Sequence, residues 1–303
     1  MSARAEGLDR PGLIFGFSAY TVWGVFPLVF QAMHRAGASP WEILTWRTIW
    51  AVPCAFALIL VLKRGPQVRA ALRQPRELAW LALAAGLIAV NWGVYIWAVN
   101  ARETLAASLG YFITPLLNVA AGAVIFGERL SPTAKLAIGL AAVGVVVQSL
   151  GLGAFPWISL ILATSFACYG VVRKRLKVDA QTGLLIECSI LALPSAVYAL
   201  LLASEGQAHF GTGLGVSLLL MLAGPATVIP LALFGEAAKR LPMTAIGFLQ
   251  FIAPTLQFGI GLAEGEPFRP LNLAAFALIW LGGAVFIYDA WRKTRQLRAA
   301  AVV

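Results

Sequence analysis

Acidic residues are scarce in this chain: 13 of 303 are Asp or Glu, and there are only two histidines and three cysteines. Charged residues of both signs make up 12%, about half the roughly 25% of a soluble domain. An ordinary soluble protein is excluded. Without acids or histidines clustered in its apolar stretches, a membrane metalloenzyme or a serine–histidine hydrolase lacks the titratable groups its chemistry needs. The chain therefore reads as no enzyme, with no cofactor and no metal. No phosphate loop of the GxxxxGK(S/T) kind occurs, so ATP does not drive it directly. Cys54, Cys168 and Cys188 lie far apart in apolar stretches, which suits buried small hydrophobes better than a thiol or metal set. His34 and His209 fall in hydrophilic breaks and read as solvated. The first apolar run, Gly12–Met33, has no small-residue cleavage site after it and reads as a retained helix.

Hydrophobic residues, by contrast, make up 60%, and the mean hydropathy is +0.83. A bilayer crossing needs about 20 apolar residues. Ten stretches qualify: 12–33, 41–62, 78–99, 104–126, 133–150, 155–172, 183–203, 215–237, 243–263 and 271–290. The longest connection, Lys63 to Glu77, is too short to fold alone, so the expectation is one all-α membrane domain. The net charge of +10 is a topology signal, not a nucleic-acid footprint. With the N-terminus in the cytoplasm, 19 of the 23 basic residues fall in inner segments. Only Arg35, Arg102 and Arg269 fall outside, and Arg47 lies within the second crossing. Basic residues resist translocation, which predicts a multi-pass inner-membrane protein with both termini cytoplasmic.

Ser108, Tyr111, Pro115, Asn118 and Gly122 follow spacings of 3, 4, 3 and 4, and Gly247, Gln250, Pro254, Gln257 and Gly261 repeat them 139 positions later. On a helix such spacing lines up one face. Trp23-Gly24-Val25 matches Tyr169-Gly170-Val171, Pro53 matches Pro194, and Gly127-Glu128 matches Gly265-Glu266, in order. A duplication follows, with five crossings in 12–150 and five in 155–290. Since five is odd, the halves run in opposite directions, the inverted repeat of many secondary transporters. Uncharged polar residues and bend-permitting prolines at corresponding places in the two halves point to a substrate path. Close helix packing is the competing reading of the same small residues.

The third crossing adds Asn91 and Tyr95, whose counterparts at the same offset are Pro230 and Phe234. One half offers hydrogen bonds where the other offers apolar surface, which suits an amphipathic solute. Trp23, Tyr20, Tyr169 and Phe166 supply candidate aromatic walls. Arg47 lies about 9 Å below the outer end of its helix at the usual rise per residue. Two roles stay open for it: contact with a substrate carboxylate, or snorkelling outward. Glu187, the deepest acid, is a candidate coupling site about one turn inside its crossing.

Residues 108–118 (SLGYFITPLLN), Asn91-Trp92, the run Tyr95 to Asn100 and Gly127-Glu128-Arg129 resemble the RarD-like branch of the drug/metabolite transporter superfamily, in its EamA-type class. So do Glu42-Ile43-Leu44, Tyr169-Gly170 with Arg173-Lys174, Gln181-Thr182-Gly183 with Glu187, and Gly247 to Ile252 with Pro254-Thr255. The resemblance covers about Gly12 to Asp289 and implies ten helices in two inverted five-helix halves. It also implies export of amino acids, aromatic ones included, or of similar small metabolites. Two positions depart: Trp46 stands where the branch usually has His, and Thr114 where it usually has Asn. Roles of that His or Asn, proton handling included, do not transfer. A drug or antibiotic permease and a non-transporting scaffold are the alternatives. Facilitated diffusion without an obligatory ion is expected, with a small solute and the bilayer as partners. A monomer suffices.

Overall fold

The structure, a computed structural model, describes residues 9–126, 132–152, 155–240, 249–266 and 270–300. The described residues contain helices and no strand. In order they are α1 (Arg10–Gly24), α2 (Phe26–Arg35), α3 (Pro40–Val61), α4 (Gly65–Leu72), α5 (Pro75–Asn100) and α6 (Thr104–Phe126). Then come α7 (Pro132–Leu152), α8 (Trp157–Arg175), α9 (Ala180–Ser204), α10 (Leu214–Arg240), α11 (Ile252–Ala263) and α12 (Pro270–Ala300). Among the described residues five stretches are long and apolar enough to cross a membrane: Arg10–Arg35, Pro40–Val61, Pro75–Asn100, Ala180–Ser204 and Leu214–Ala237.

Burial is inverted relative to a soluble protein. Ile14, Phe17, Leu60, Leu193, Leu200 and Leu218 are exposed, while Glu42, Arg47, Asn91, Ser108, Thr114 and Glu187 are buried. Apolar side chains face outward because lipid tails are as apolar as they are, and polar groups turn inward to find partners. The chain is a multi-pass membrane protein.

Helix ends must be satisfied within such a bundle, and local sequence does much of this. Ser39 accepts from the Glu42 amide at 3.1 Å and caps α3, with Pro40 opening the helix. Asp179 accepts from the Thr182 amide at 3.2 Å and caps α9. Each cap satisfies a first-turn N–H that has no helical partner.

One expectation needs correction. The first crossing is not one continuous helix: it breaks at Val25. Pro27 has no N–H to donate to the Trp23 carbonyl and its ring crowds that carbonyl, so the ladder is interrupted. The connection 63–77 holds α4, a helix of eight residues with Arg69 in its last turn and Arg73 as the residue that follows it.

The helices interlock across the midpoint of the chain. Packed pairs include α1 with α10, α3 with α10, α6 with α8, α5 with α8, α5 with α9, and α1 with α11. The others that cross the midpoint include α7 with α12, α3 with α9 and α6 with α11. Small residues permit the closest approaches. A Cβ added at Gly110 of α6 would lie 2.8 Å from the Ser159 carbonyl oxygen of α8, and one at Gly224 of α10 would strike the Trp50 backbone of α3.

Candidate functional site

The two stripes meet. Ser108, wholly buried on α6, donates from Oγ to the Pro254 carbonyl oxygen of α11 at 2.6 Å. Pro115 sits inside an unbroken α6, and Thr114 bonds its own helix at the Gly110 carbonyl. Asn118, one turn further along, is exposed beside Gly170 of α8. The second stripe differs from expectation. Its helix begins at Ile252, so Gln250 lies in the turn before it and does not share a helical face with Pro254 and Gln257. Pro254 cannot donate to the Gln250 carbonyl, so the regular ladder starts late. Gly247 lies outside the described residues, as do Gly127 and Glu128.

Polar groups of the third crossing reach the first stripe. Asn91, buried on α5, donates from Nδ2 to the Leu162 carbonyl at 2.9 Å and to Ser165 Oγ at 3.1 Å, both on α8. Its Oδ1 accepts from the Tyr111 hydroxyl of α6 at 3.0 Å. Tyr111 in turn packs edge-on against Tyr95, 5.5 Å between ring centroids, and against Phe166 at 6.2 Å. Thus α5, α6 and α8 are joined by one asparagine. Arg47 of α3 stands close by. It is 3% exposed, donates from Nε to Thr227 Oγ1 of α10 at 2.9 Å, and stacks on Trp92 at 4.1 Å. Arg47 is therefore buried among aromatics and does not snorkel to the surface.

Counterpart positions of the second half are apolar, and they form a separate cluster. Phe234 of α10 packs against Trp23 and Tyr20 of α1 at 5.9 and 6.1 Å. Pro230 is buried one turn earlier on α10. Gln257 donates from Nε2 to the Trp23 carbonyl at 3.2 Å, the carbonyl that Pro27 leaves without its helical donor.

Glu187 is deeper than expected because α9 starts at Ala180, which places it about two turns inside. It is 2% exposed and accepts from Arg173 at 3.0 Å and from the Tyr169 hydroxyl at 3.1 Å, both on α8. The sequence marks Tyr169 and Glu187 as site residues, and Arg173 as a topology charge and part of the Tyr169-Gly170 motif, but not as the partner of Glu187. A basic residue 14 positions before an intramembrane acid, on the adjoining helix, was the available signal.

Further corrections concern the other bundle end. His209 is not simply solvated, because its Nδ1 lies 2.9 Å from Glu42 Oε2. The His209 and Phe210 amides also donate to Glu42 Oε1. Glu264 accepts from Gln31 and Arg35 of α2, and Glu266 caps α6 by accepting from the Thr104 and Leu105 amides at 2.7 and 2.9 Å. These acids act as ties between elements, a role that helix-end position alone did not predict. Among the cysteines, Cys188 is buried, Cys54 half-buried and Cys168 exposed. The last is tolerated because a thiol meets no penalty against lipid. A groove of about 260 Å3 walled by Trp41, Leu44, Leu191 and Pro194 holds none of the stripe residues.

A buried polar network bounded by aromatic walls, inside a membrane bundle with two interlocked halves, defines a protein of the membrane-carrier class. The EamA-like transporter family matches residues 10–150. Protein RarD of Streptomyces exfoliatus is 43% identical over 98% of this chain and 94% of its own length. The chloramphenicol-sensitive protein RarD of Pseudomonas aeruginosa is 35% identical over 86% of this chain and 87% of its own. A solved crystal structure at 24% identity shares the fold, with a TM-score of 0.61 over 93% of this chain and 98% of that one. The chain belongs to the RarD-like branch of the EamA-like transporter family.

Proposed function

We propose that this chain is a secondary transporter of the bacterial inner membrane that exports amino acids or similar small metabolites by alternating access. Its ten crossings form two inverted halves, with α1–α2, α3, α5, α6 and α7 corresponding to α8, α9, α10, the 243–263 stretch and α12. One observation carries the reading. Exchanging the halves turns the pair α1–α10 into α8–α5, α3–α10 into α9–α5, and α6–α8 into α11–α1, all of which are packed pairs. The pairs α3–α9, α6–α11 and α7–α12 map onto themselves. A packing pattern that survives the exchange supports two states of equal quality, one open to each side, around a central path. Ser108, Tyr111, Pro115, Asn118, Asn91, Tyr95, Gln250, Pro254 and Gln257 line that path, with Trp23, Tyr169, Pro230 and Phe234 as its apolar walls. The basic residues of the inner segments support cytoplasmic termini.

Counterflow of radiolabelled amino acids into proteoliposomes tests this directly. Flux above empty liposomes is expected, and its absence for every amino acid sinks the amino-acid reading. One relative is named for chloramphenicol sensitivity, which favours a second reading as a drug permease. Deletion that changes chloramphenicol resistance while amino-acid flux stays unchanged selects that alternative.

Transport is uniport in this proposal. Glu187 is held by Arg173 and Tyr169, so its charge is balanced within the protein and the uncharged stripes carry no ion. Concentrative uptake that needs a pH gradient at fixed membrane potential, and that disappears in Glu187→Gln, overturns uniport.

A further inference from the structure

The Arg47 guanidinium has a donor edge left over. Its Nε is committed to Thr227, whose own hydroxyl is fixed by donation to the Ala223 carbonyl at 2.9 Å. Trp92 lies against the guanidinium at 4.1 Å, with Phe30 and Phe26 at 5.4 and 5.6 Å. The terminal amino groups have no hydrogen-bond partner among the described residues, and no carboxylate there comes within ion-pair distance of Arg47. Glu187, the intramembrane acid, is taken by Arg173.

A second group nearby is also unsatisfied. Tyr95 is 3% exposed and its hydroxyl is buried without a partner. Its ring packs against Phe30 at 6.0 Å, the same phenylalanine that lies against Arg47.

Burying a cation without a counter-charge is costly, and aromatic faces offset only part of that. A hydroxyl buried with no partner adds its own penalty. A bundle that keeps both features against the same phenylalanine, Phe30, is arranged for a ligand that satisfies both. A carboxylate fits the chemistry, since the two terminal amino groups form a planar fork that matches its two oxygens, and a phenol can donate a third hydrogen bond. The clamp is rigid because Thr227 and Trp92 hold the guanidinium plane. Among the described residues Glu187 and Glu42 are committed elsewhere, so neither competes with a ligand carboxylate for Arg47.

We propose that Arg47 and Tyr95 are the carboxylate-recognition residues of the transport path, so that the chain carries monocarboxylate-bearing solutes and rejects their neutral amide counterparts. The inference rests on reading the chain as a carrier of small solutes, and it is tested apart from flux. Purified full-length protein in detergent is titrated with phenylacetate and with phenylacetamide, two probes of the same shape, and the melting temperature is followed.

Phenylacetate raises the melting temperature of the wild type and phenylacetamide does not. Arg47→Gln abolishes the phenylacetate shift. Should Arg47→Gln fail to fold, Tyr95→Phe keeps the ring in place and weakens phenylacetate roughly tenfold, the effect of losing one hydrogen bond to a charged ligand. Equal shifts from both probes, no shift from phenylacetate at millimolar concentration, or an undiminished affinity in Tyr95→Phe overturns the assignment. If phenylacetate binds as stated but no amino acid is transported, the receptor stands and the amino-acid reading alone fails.

Discussion

The two stripes share a spacing and differ in almost everything that the spacing supports. On α6 the proline is absorbed into a continuous helix, and Ser108, Tyr111 and the neighbouring Asn91 make hydrogen bonds to three other helices. On the second stripe the helix begins only at Ile252, Gln250 falls in a turn, and the nearby positions Pro230 and Phe234 are apolar. In the proposed repeat the packing pairs are kept while the chemistry divides. The first half anchors polar groups, and the second brings α11, which begins at Ile252, beside an aromatic wall. An exchange of access between two sides needs the frame to be symmetric, but recognition of one solute does not.

Substitutions at the crossing of the stripes break that comparison hardest. Ser108 is buried at the contact between α6 and α11, so Ser108→Trp forces the two helices apart. Amino-acid counterflow falls to the level of empty liposomes while the protein still inserts and elutes as a single species. Unchanged flux in this variant removes the stripe from the path.

Next in size is the contrast between Asn91 and Pro230, equivalent positions with unequal work. Asn91→Leu strands the Tyr111 hydroxyl, while Ser165 keeps its bond to the Leu162 carbonyl, and a group left buried and unpaired costs about 1–3 kcal/mol. Flux drops by more than about tenfold, because 1.4 kcal/mol is already a factor of ten. Pro230→Leu leaves no polar group stranded and changes flux by less than about threefold on the same scale. The opposite ranking in matched counterflow assays places the chemistry in the second half. Tyr111→Phe is milder than either polar loss. It removes one neutral hydrogen bond to Asn91, worth about 0.5–1.5 kcal/mol, and keeps the ring contacts with Tyr95 and Phe166.

Local rules made much of the frame legible. The fourth crossing, read as 104–126 from its apolar run, is α6 with the same bounds. Partners across the bundle were not legible. Thr227 lies 180 residues from Arg47, and Glu266 caps a helix that starts 162 residues earlier. Neither can be deduced from spacing on one helix. Glu187 was placed too shallow because its apolar run was started at 183, whereas Asp179 caps the helix one turn earlier. The break at Val25 was within reach, since Pro27 carries its own physical cause. What hid it was that a continuous apolar run says nothing about where the ladder inside it fails.

The smallest contrast lies at the caps of the two equivalent helices α3 and α9. Ser39 caps α3 with a hydroxyl and Asp179 caps α9 with a carboxylate that also pairs with Arg64 at 2.8 Å. Replacing either by Ala costs about 1 kcal/mol of stability near neutral pH. The ion pair adds little, since both of its groups are about a quarter exposed. Their pH dependence separates them. Burial alone would raise the Asp179 carboxyl, but hydrogen bonds from Thr182 and the Arg64 guanidinium outweigh it and hold the group below the usual carboxylate range. A group depressed in the folded state contributes fully above its unfolded pKa of about 3.9 and loses that contribution as pH falls through the lower folded value. The penalty of Asp179→Ala, followed as a melting-temperature difference from wild type, is therefore constant from pH 7 to pH 5 and shrinks below pH 4. That of Ser39→Ala stays flat throughout. A Ser39 penalty that shrinks in parallel would mean that the acid response belongs to the bundle as a whole and not to the α9 cap.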